Sequence, residues 1–148
     1  MPMPAPASIR QARRGDFGAV ADLLRGNDLP VDGLPSDLAA FLVAESGGRI
    51  VGAIGLEPYG PDALLRSAVV DPSVRGTGLG AQLVAEIIAE AGRRDVGTLW
   101  LLTTTADGWF PRFGFEPVTR DAVPAPVTAS REFQGACPAS AHVMRRRG

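Results

Sequence analysis

The sequence predicts an α/β domain, a mixed sheet with helices on its faces. Three observations predict it. Short apolar runs rich in β-branched residues alternate with segments of helical periodicity. One strong amphipathic pattern fills Leu79 to Ala91. A glycine-rich loop joins an apolar strand directly to that pattern. The chain has 148 residues, the usual size of one domain. We expect a single domain over 9–148, preceded by a flexible Pro/Ala-rich tail over 1–8.

The elements follow in order. Ile9 to Ala12 reads as a first strand. Asp16 can cap a helix whose apolar positions Phe17, Val20, Leu23 and Leu24 share a face, and Gly26-Asn27-Asp28 ends it. Ser36 or Asp37 can start one more helical turn. Ala40 to Glu45 and Arg49 to Leu56 form a hairpin around Ser46-Gly47-Gly48. Pro58-Tyr59-Gly60-Pro61 breaks the chain, and Ala63 to Val70 is the next strand. In the helix from Leu79, the side chains of Leu79, Leu83, Ile87 and Ala91 face inward. Gln82, Glu86 and Glu90 face solvent, and Gly92 is the stop. Thr98 to Thr103 is an apolar strand. Thr105 or Asp107 caps a short helix through Phe110, and Phe115 to Thr119 is another strand. The Pro-interrupted stretch 120–133 permits one short helix. Ala139 to Met144 closes as a strand, and Arg145 to Arg147 reads as a solvated tail.

Composition removes several classes of function. The formal net charge is −1, so no global field draws the chain to nucleic acid or an anionic membrane. All 15 basic residues are Arg, which excludes Schiff-base and lysine-base chemistry. One Cys and one His permit neither an intrachain disulfide nor a zinc site of the Cys/His type. No segment reaches the ~20 apolar residues of a membrane helix. The N-terminal stretch has no basic region before an apolar run, so no signal peptide is expected. A cytoplasmic chain with no metal, no nucleic-acid partner and no membrane partner is the expectation.

The most informative segment is Val69-Val70-Asp71-Pro72-Ser73-Val74-Arg75-Gly76-Thr77-Gly78-Leu79-Gly80. Glycines let successive backbone N–H groups converge, and the following helix adds the positive end of its dipole. Together these suit a pyrophosphate, and Arg75 can add a charge-assisted contact. A Rossmann fingerprint would open a parallel unit with Gly-x-Gly-x-x-Gly. Here the loop follows a hairpin, its spacing is Arg-x-x-Gly-x-Gly, and no P-loop Gly-Lys-Ser/Thr is present. A tight turn that merely packs the helix is the plain alternative.

Val70-x-Pro72 followed by Arg75-Gly76-x-Gly78-x-Gly80 resembles the acyl-CoA signature of the GNAT N-acetyltransferase family. Ala106-x-x-x-Phe110-Pro111-Arg112-Phe113-Gly114-Phe115 is similar to that family's second landmark. The likeness runs from about Ile9 to Met144. Gly55-Leu56-Glu57, Leu64-Leu65-Arg66-Ser67, Leu101-Leu102-Thr103-Thr104-Thr105, Glu132-Phe133 and Cys137-Pro138-Ala139-Ser140-Ala141 resemble the arsenic-resistance-associated branch. The Leu-Thr-Thr segment is also similar to N-acetylglutamate synthase. The resemblance implies a mostly antiparallel central sheet flanked by helices. It also implies acetyl-CoA as co-substrate and direct attack by the amine of a small molecule, amino-acid-like or arsenic-containing. A homodimer is compatible with it. Acetyl-CoA contacts then fall on Ala68, Val69, Val70, Arg75, Gly76, Thr77, Gly78, Leu79 and Gly80, with a backbone N–H of Ala68 to Val70 facing the developing oxyanion.

The family's usual tyrosine acid matches Phe110, which cannot donate a proton. A thiol of pKa ~8.5 is a tolerable leaving group, and general-acid help is worth about 10²–10⁴-fold. Transfer therefore survives that loss. Ser140, Thr104, Cys137 and Tyr59 are substitute donors, with Ser140 carried forward as catalytic beside Glu57, the candidate base. Glu57 reads equally as an ordinary strand-end carboxylate. Arg66 interrupts an apolar strand, which points either to a bound substrate carboxylate or oxyanion or to an outward-facing side chain. Thr104 and Cys137 join Arg66 as candidate acceptor contacts. Cys137 fits a packed small residue better than a nucleophile, because His142 is five residues away on an extended chain. An acyl-CoA-binding sensor with a degenerate centre is the alternative function, and Phe110 keeps it open.

Overall fold

The computed structural model describes residues 6–148. Residues 1–5 of the expected tail lie outside that range, and Ser8 already belongs to the first strand. Among the described residues, seven strands form one sheet in the order β1-β2-β3-β4-β5-β7-β6. They are β1 (Ser8–Gln11), β2 (Phe41–Ser46), β3 (Arg49–Tyr59), β4 (Asp62–Val70), β5 (Thr98–Thr103), β6 (Glu116–Val118) and β7 (His142–Arg147). The helices are α1 (Phe17–Arg25), α2 (Leu79–Arg93) and the single turn α3 (Ala125–Thr128). β4 and β5 pair in parallel, whereas β1–β2, β2–β3, β5–β7 and β6–β7 are antiparallel. This is the mixed sheet with helices that the pattern predicts.

The chain divides into two compact units. One contains the chain up to Gly55 together with Ser67–Ile87. Its core joins Val20 and Leu24 of α1 to Leu38, Phe41, Val43, Ala53 and Val69. The apolar face of α1 creates this core, as its 3.6-residue periodicity requires. The other unit contains Leu56–Arg66 and Ile88–Gly148. Its core joins Leu64, Trp100, Val123, Val127 and Val143, with Tyr59 and Phe133 packed at its side.

Several expected boundaries move for physical reasons. Asp16 sits before α1 without capping it, because its carboxylate binds the Arg10 guanidinium (2.8 and 3.0 Å) and the Arg13 amide. Residues 36–37 form a turn and no helix. β3 does not stop at Leu56 but runs on through Pro58 to Tyr59. Its pairing with β2 ends at Gly55, so the missing Pro58 N–H costs no bond on that edge. α2 passes through Gly92 and closes where Asp95 takes φ +58 and the Val96 amide donates to Ala91. Glu90 is buried, because Arg93 and Arg94 fold onto its carboxylate and hold it below the usual range. The side-chain oxygen that takes a backbone amide in this segment is that of Thr103, on Ala106, where Thr105 or Asp107 was the expected cap. The short helix expected through Phe110 instead starts there, as a tight turn over Phe110–Phe113.

The last strand starts at His142, not Ala139, and the Arg145–Arg147 run belongs to it. There it pairs with Thr98–Trp100, and Arg145 binds Glu116 and covers the Trp100 ring.

Gly55 is required by close packing. A Cβ built there would run into the Phe41 ring. Gly55→Ala should therefore lower stability by about 1–3 kcal/mol through overpacking. Urea titration should show a lower midpoint with an unchanged slope.

Candidate active site

The loop of the first unit is built from the end of β4 outward. The β4–β5 ladder spans only Asp62–Leu64 against Thr98–Trp100, so Ala68, Val69 and Val70 lie beyond it. Just before them Ser67 adopts φ +59, a left-handed conformation inside a strand. Such a residue costs about 1–3 kcal/mol and persists only when its surroundings impose it. The Asp71 amide then donates to the Val51 carbonyl at 2.7 Å. The Asp71 carboxylate accepts from the Ser73 hydroxyl (2.7 Å) and amide (2.9 Å), which together hold it below the usual carboxylate range. Arg49 reaches both residues from β3. The loop base is thus pinned before the glycines begin.

Gly76 and Gly78 have φ +82 and +85, and nothing lies within 4 Å of a Cβ built on either. Thr77 between them donates to the Val74 carbonyl at 2.6 Å. Leu79 starts α2, so the loop delivers its last amides to the positive end of a 15-residue helix. This open, side-chain-free cradle at a helix N-terminus suits a pyrophosphate. Arg75 is exposed, and Asn27 at the end of α1 holds its guanidinium at 2.7 Å.

The second unit holds a buried charge cluster. The Arg66 side chain is 0% exposed, which excludes the outward-facing reading. Its Nη1 donates to Glu57 Oε1 at 2.5 Å, and its Nε lies 3.5 Å from Glu132 Oε2. Glu57 is no strand-end carboxylate: it sits inside β3, half-buried, and accepts the Tyr59 hydroxyl on its other oxygen at 2.6 Å. Glu132 opens the wide helical turn Glu132–Ala136 and is buried. Burial pushes its carboxyl up to about 7, Arg66 opposes the shift and Glu57 adds to it. The Cys137 thiol donates to Glu132 Oε1 at 3.8 Å and is itself pushed up to about 12, by burial first and by Glu132 second. Burial and the bond to Glu57 likewise raise Tyr59 above the ordinary phenol value.

These placements sort the sequence candidates. Glu57, Arg66 and Cys137 come together; Ser140 and Thr104 do not join them. Ser140 is exposed in the turn before β7, and Thr104 is exposed just after β5. Cys137 remains a thiol at neutral pH, so it is no nucleophile. His142 lies 3.9 Å from Asp107. Phe110 is buried against Trp109 and Phe115, which leaves no proton donor at that position. Glu132 was missed as a site residue. The available signal was Arg66 itself, since a buried guanidinium demands carboxylates.

The chain matches the Acetyltransferase (GNAT) domain family over residues 37–117. It is 32% identical to an amino-acid acetyltransferase of Ralstonia nicotianae over 127 residues, 78% of this chain and 28% of that protein. A counterpart in Aeromonas salmonicida is 31% identical, over 79% of this chain and 29% of that protein. The chain therefore spans under a third of the curated relatives it matches. In three dimensions it resembles N-acetylglutamate synthase from Neisseria gonorrhoeae, solved with coenzyme A and L-arginine. The TM-score is 0.80 at 26% identity, covering 97% of this chain and 33% of that one. A Mycobacterium tuberculosis protein solved with CoA shares the fold, with TM-score 0.79, 23% identity and 95% and 99% coverage. The chain belongs to the GNAT acetyltransferase domain family.

The raised Glu132 carboxyl makes stability depend on pH. Between roughly pH 4.5 and 7 the native state binds more protons than the unfolded state, so stability falls as pH rises through that window. The shift corresponds to roughly 3 kcal/mol in all. Glu132→Gln should remove this fall. Urea titrations at pH 5 and pH 8 should show the variant gaining on the natural chain by up to that amount at the higher pH.

Proposed function

We propose that the protein is an acetyl-CoA-dependent N-acetyltransferase acting on the amine of a small, amino-acid-like acceptor. The observation that carries this reading is the pinned glycine loop at the N-terminus of α2. Its Gly76 and Gly78 backbone is left-handed and its surface is open where side chains would stand. The residues present fit the pyrophosphate of acetyl-CoA. Backbone amides of residues 76–80 would hold it, Arg75 would add charge, and Ala68–Val70 would face the acyl end. When bound, the co-substrate supplies an activated thioester. Arg66 and Tyr59 orient Glu57, which accepts the proton of the acceptor amine directly or through water.

The kinship with amino-acid acetyltransferases supports an α-amino acid or a close analogue as acceptor. The resemblance to the arsenic-resistance-associated branch adds arsenic-containing amino-acid analogues to the acceptors worth screening. Residues 9–148 act as one functional domain in this reading. A second reading, an acyl-CoA-binding sensor, draws support from Phe110, which is locked into an aromatic cluster where the family resemblance implies an acid.

Calorimetry with CoA tests the cradle. Gly78→Ala adds only backbone strain at φ +85 and should weaken binding modestly. Gly78→Glu places a carboxylate beside the pyrophosphate and should abolish binding while thermal stability matches that of Gly78→Ala. Equal binding by both variants would refute the cradle. Glu57→Gln should lower kcat by about 10²–10⁴-fold with CoA affinity retained. Binding without turnover of any amine by the natural chain would favour the sensor.

A further inference from the structure

Glu132 takes no part in the chemistry described so far, yet it faces the same guanidinium as Glu57. Arg66 on β4 is enclosed, with Glu57 at 2.5 Å and Glu132 at 3.5 Å. Tyr59 on β3 donates to Glu57, and Ser130 bonds to the Tyr59 hydroxyl. Cys137 donates to Glu132, and Arg120 lies over the Pro138 and Ala139 carbonyls beyond it.

Two ionised carboxylates against one buried guanidinium leave net negative charge out of water, which is costly. One proton is therefore retained in the cluster. The distances say where. Glu57 takes the guanidinium in a direct hydrogen bond, and the more enclosed Glu132 stands off from it. Tyr59 and Cys137 stay neutral under their own burial, so Glu132 is the member of this cluster that changes charge near neutrality.

We propose that Glu132 is a positioning residue for proton acceptance, its ionisation drawing the Arg66 guanidinium away from Glu57 and freeing that carboxylate to take the amine proton. The proposal rests on the acetyltransferase reading with Glu57 as base. The proton passes from the amine nitrogen, whose lone pair becomes available, to a Glu57 oxygen. The proton of Glu132 is lost to solvent beforehand, as pH rises. Protonated Glu132 does not draw on the guanidinium, which then stays on Glu57 and lowers the rate.

Two measurements test it. Carbon-13 NMR of glutamate carboxyls in the free protein needs no substrate. One carboxyl should titrate near pH 7 and vanish in Glu132→Gln, and its midpoint should fall by about one unit or more in Glu57→Gln, where Arg66 turns to Glu132. An unmoved midpoint overturns the proposal. The pH profile of kcat/KM with an amino-acid acceptor is the second readout. Glu132→Gln should lose the ionisation near 7 and run about tenfold slower at pH 8, with KM for acetyl-CoA unchanged. His142→Gln, whose side chain lies against Asp107, should keep the natural profile. A natural profile in Glu132→Gln also overturns the proposal. If the NMR shift is present but the natural chain acetylates no amine, the acetyltransferase reading fails and the catalytic role with it, while the charge coupling stands.

Discussion

A guanidinium inside an apolar strand must be surrounded by acceptors, and that requirement organises the second unit. Arg66 brings Glu57 to it from the other arm of the β3–β4 hairpin and Glu132 from a turn 66 positions along the chain. The cluster ties the irregular segment before β7 to the hairpin, where apolar packing alone comes from Val123, Val127 and Phe133. It also sets the state of its neighbours. Burial first, with Glu132 and Glu57 adding to it, keeps Cys137 a thiol and Tyr59 a phenol, which removes Cys137 as a nucleophile. Replacing such a cluster with apolar residues of similar volume is often neutral or stabilising. Net stability is therefore a poor reason for its presence, and orientation of a reactive carboxylate under the proposed function is a better one.

Under the proposed function, the first unit meets a different requirement, with backbone. Binding a pyrophosphate requires several N–H groups aimed at one place without side chains in the way. Gly76 and Gly78 supply the left-handed turns, and the Asp71–Ser73–Arg49 contacts stop the loop from wandering. Ser67 carries backbone strain just ahead of Ala68–Val70, a place where the fold imposes geometry on a residue that resists it. The glycine loop thus depends on conformation, and the buried charge cluster depends on charge and enclosure.

This difference explains what could be read from the chain. The loop was legible down to its residues, because glycine spacing, the Asp-Pro turn and the helix start are local signals. β5 was placed to the residue, and α1, α2 and the first hairpin to within a few positions, since hydrophobic period and turn chemistry are local too. Errors gathered where a charged or strand partner, near or distant, overrode the simple pattern. Arg10 claimed the Asp16 carboxylate, Arg93 and Arg94 drew Glu90 under cover, and Thr98–Trp100 recruited an arginine run that reads as a tail.

The buried charge cluster shows the same boundary most clearly. From the sequence alone come the fold class, the GNAT likeness, the cradle and the suspicion attached to Glu57 and Arg66. Only the tertiary structure decided that Arg66 points inward, that Glu132 shares it, and that Ser140 and Thr104 stand apart at the surface. The reason is physical. Periodicity and turn chemistry act over a few residues, whereas the protonation of a buried group depends on which charges the folded chain brings within a few ångströms of it.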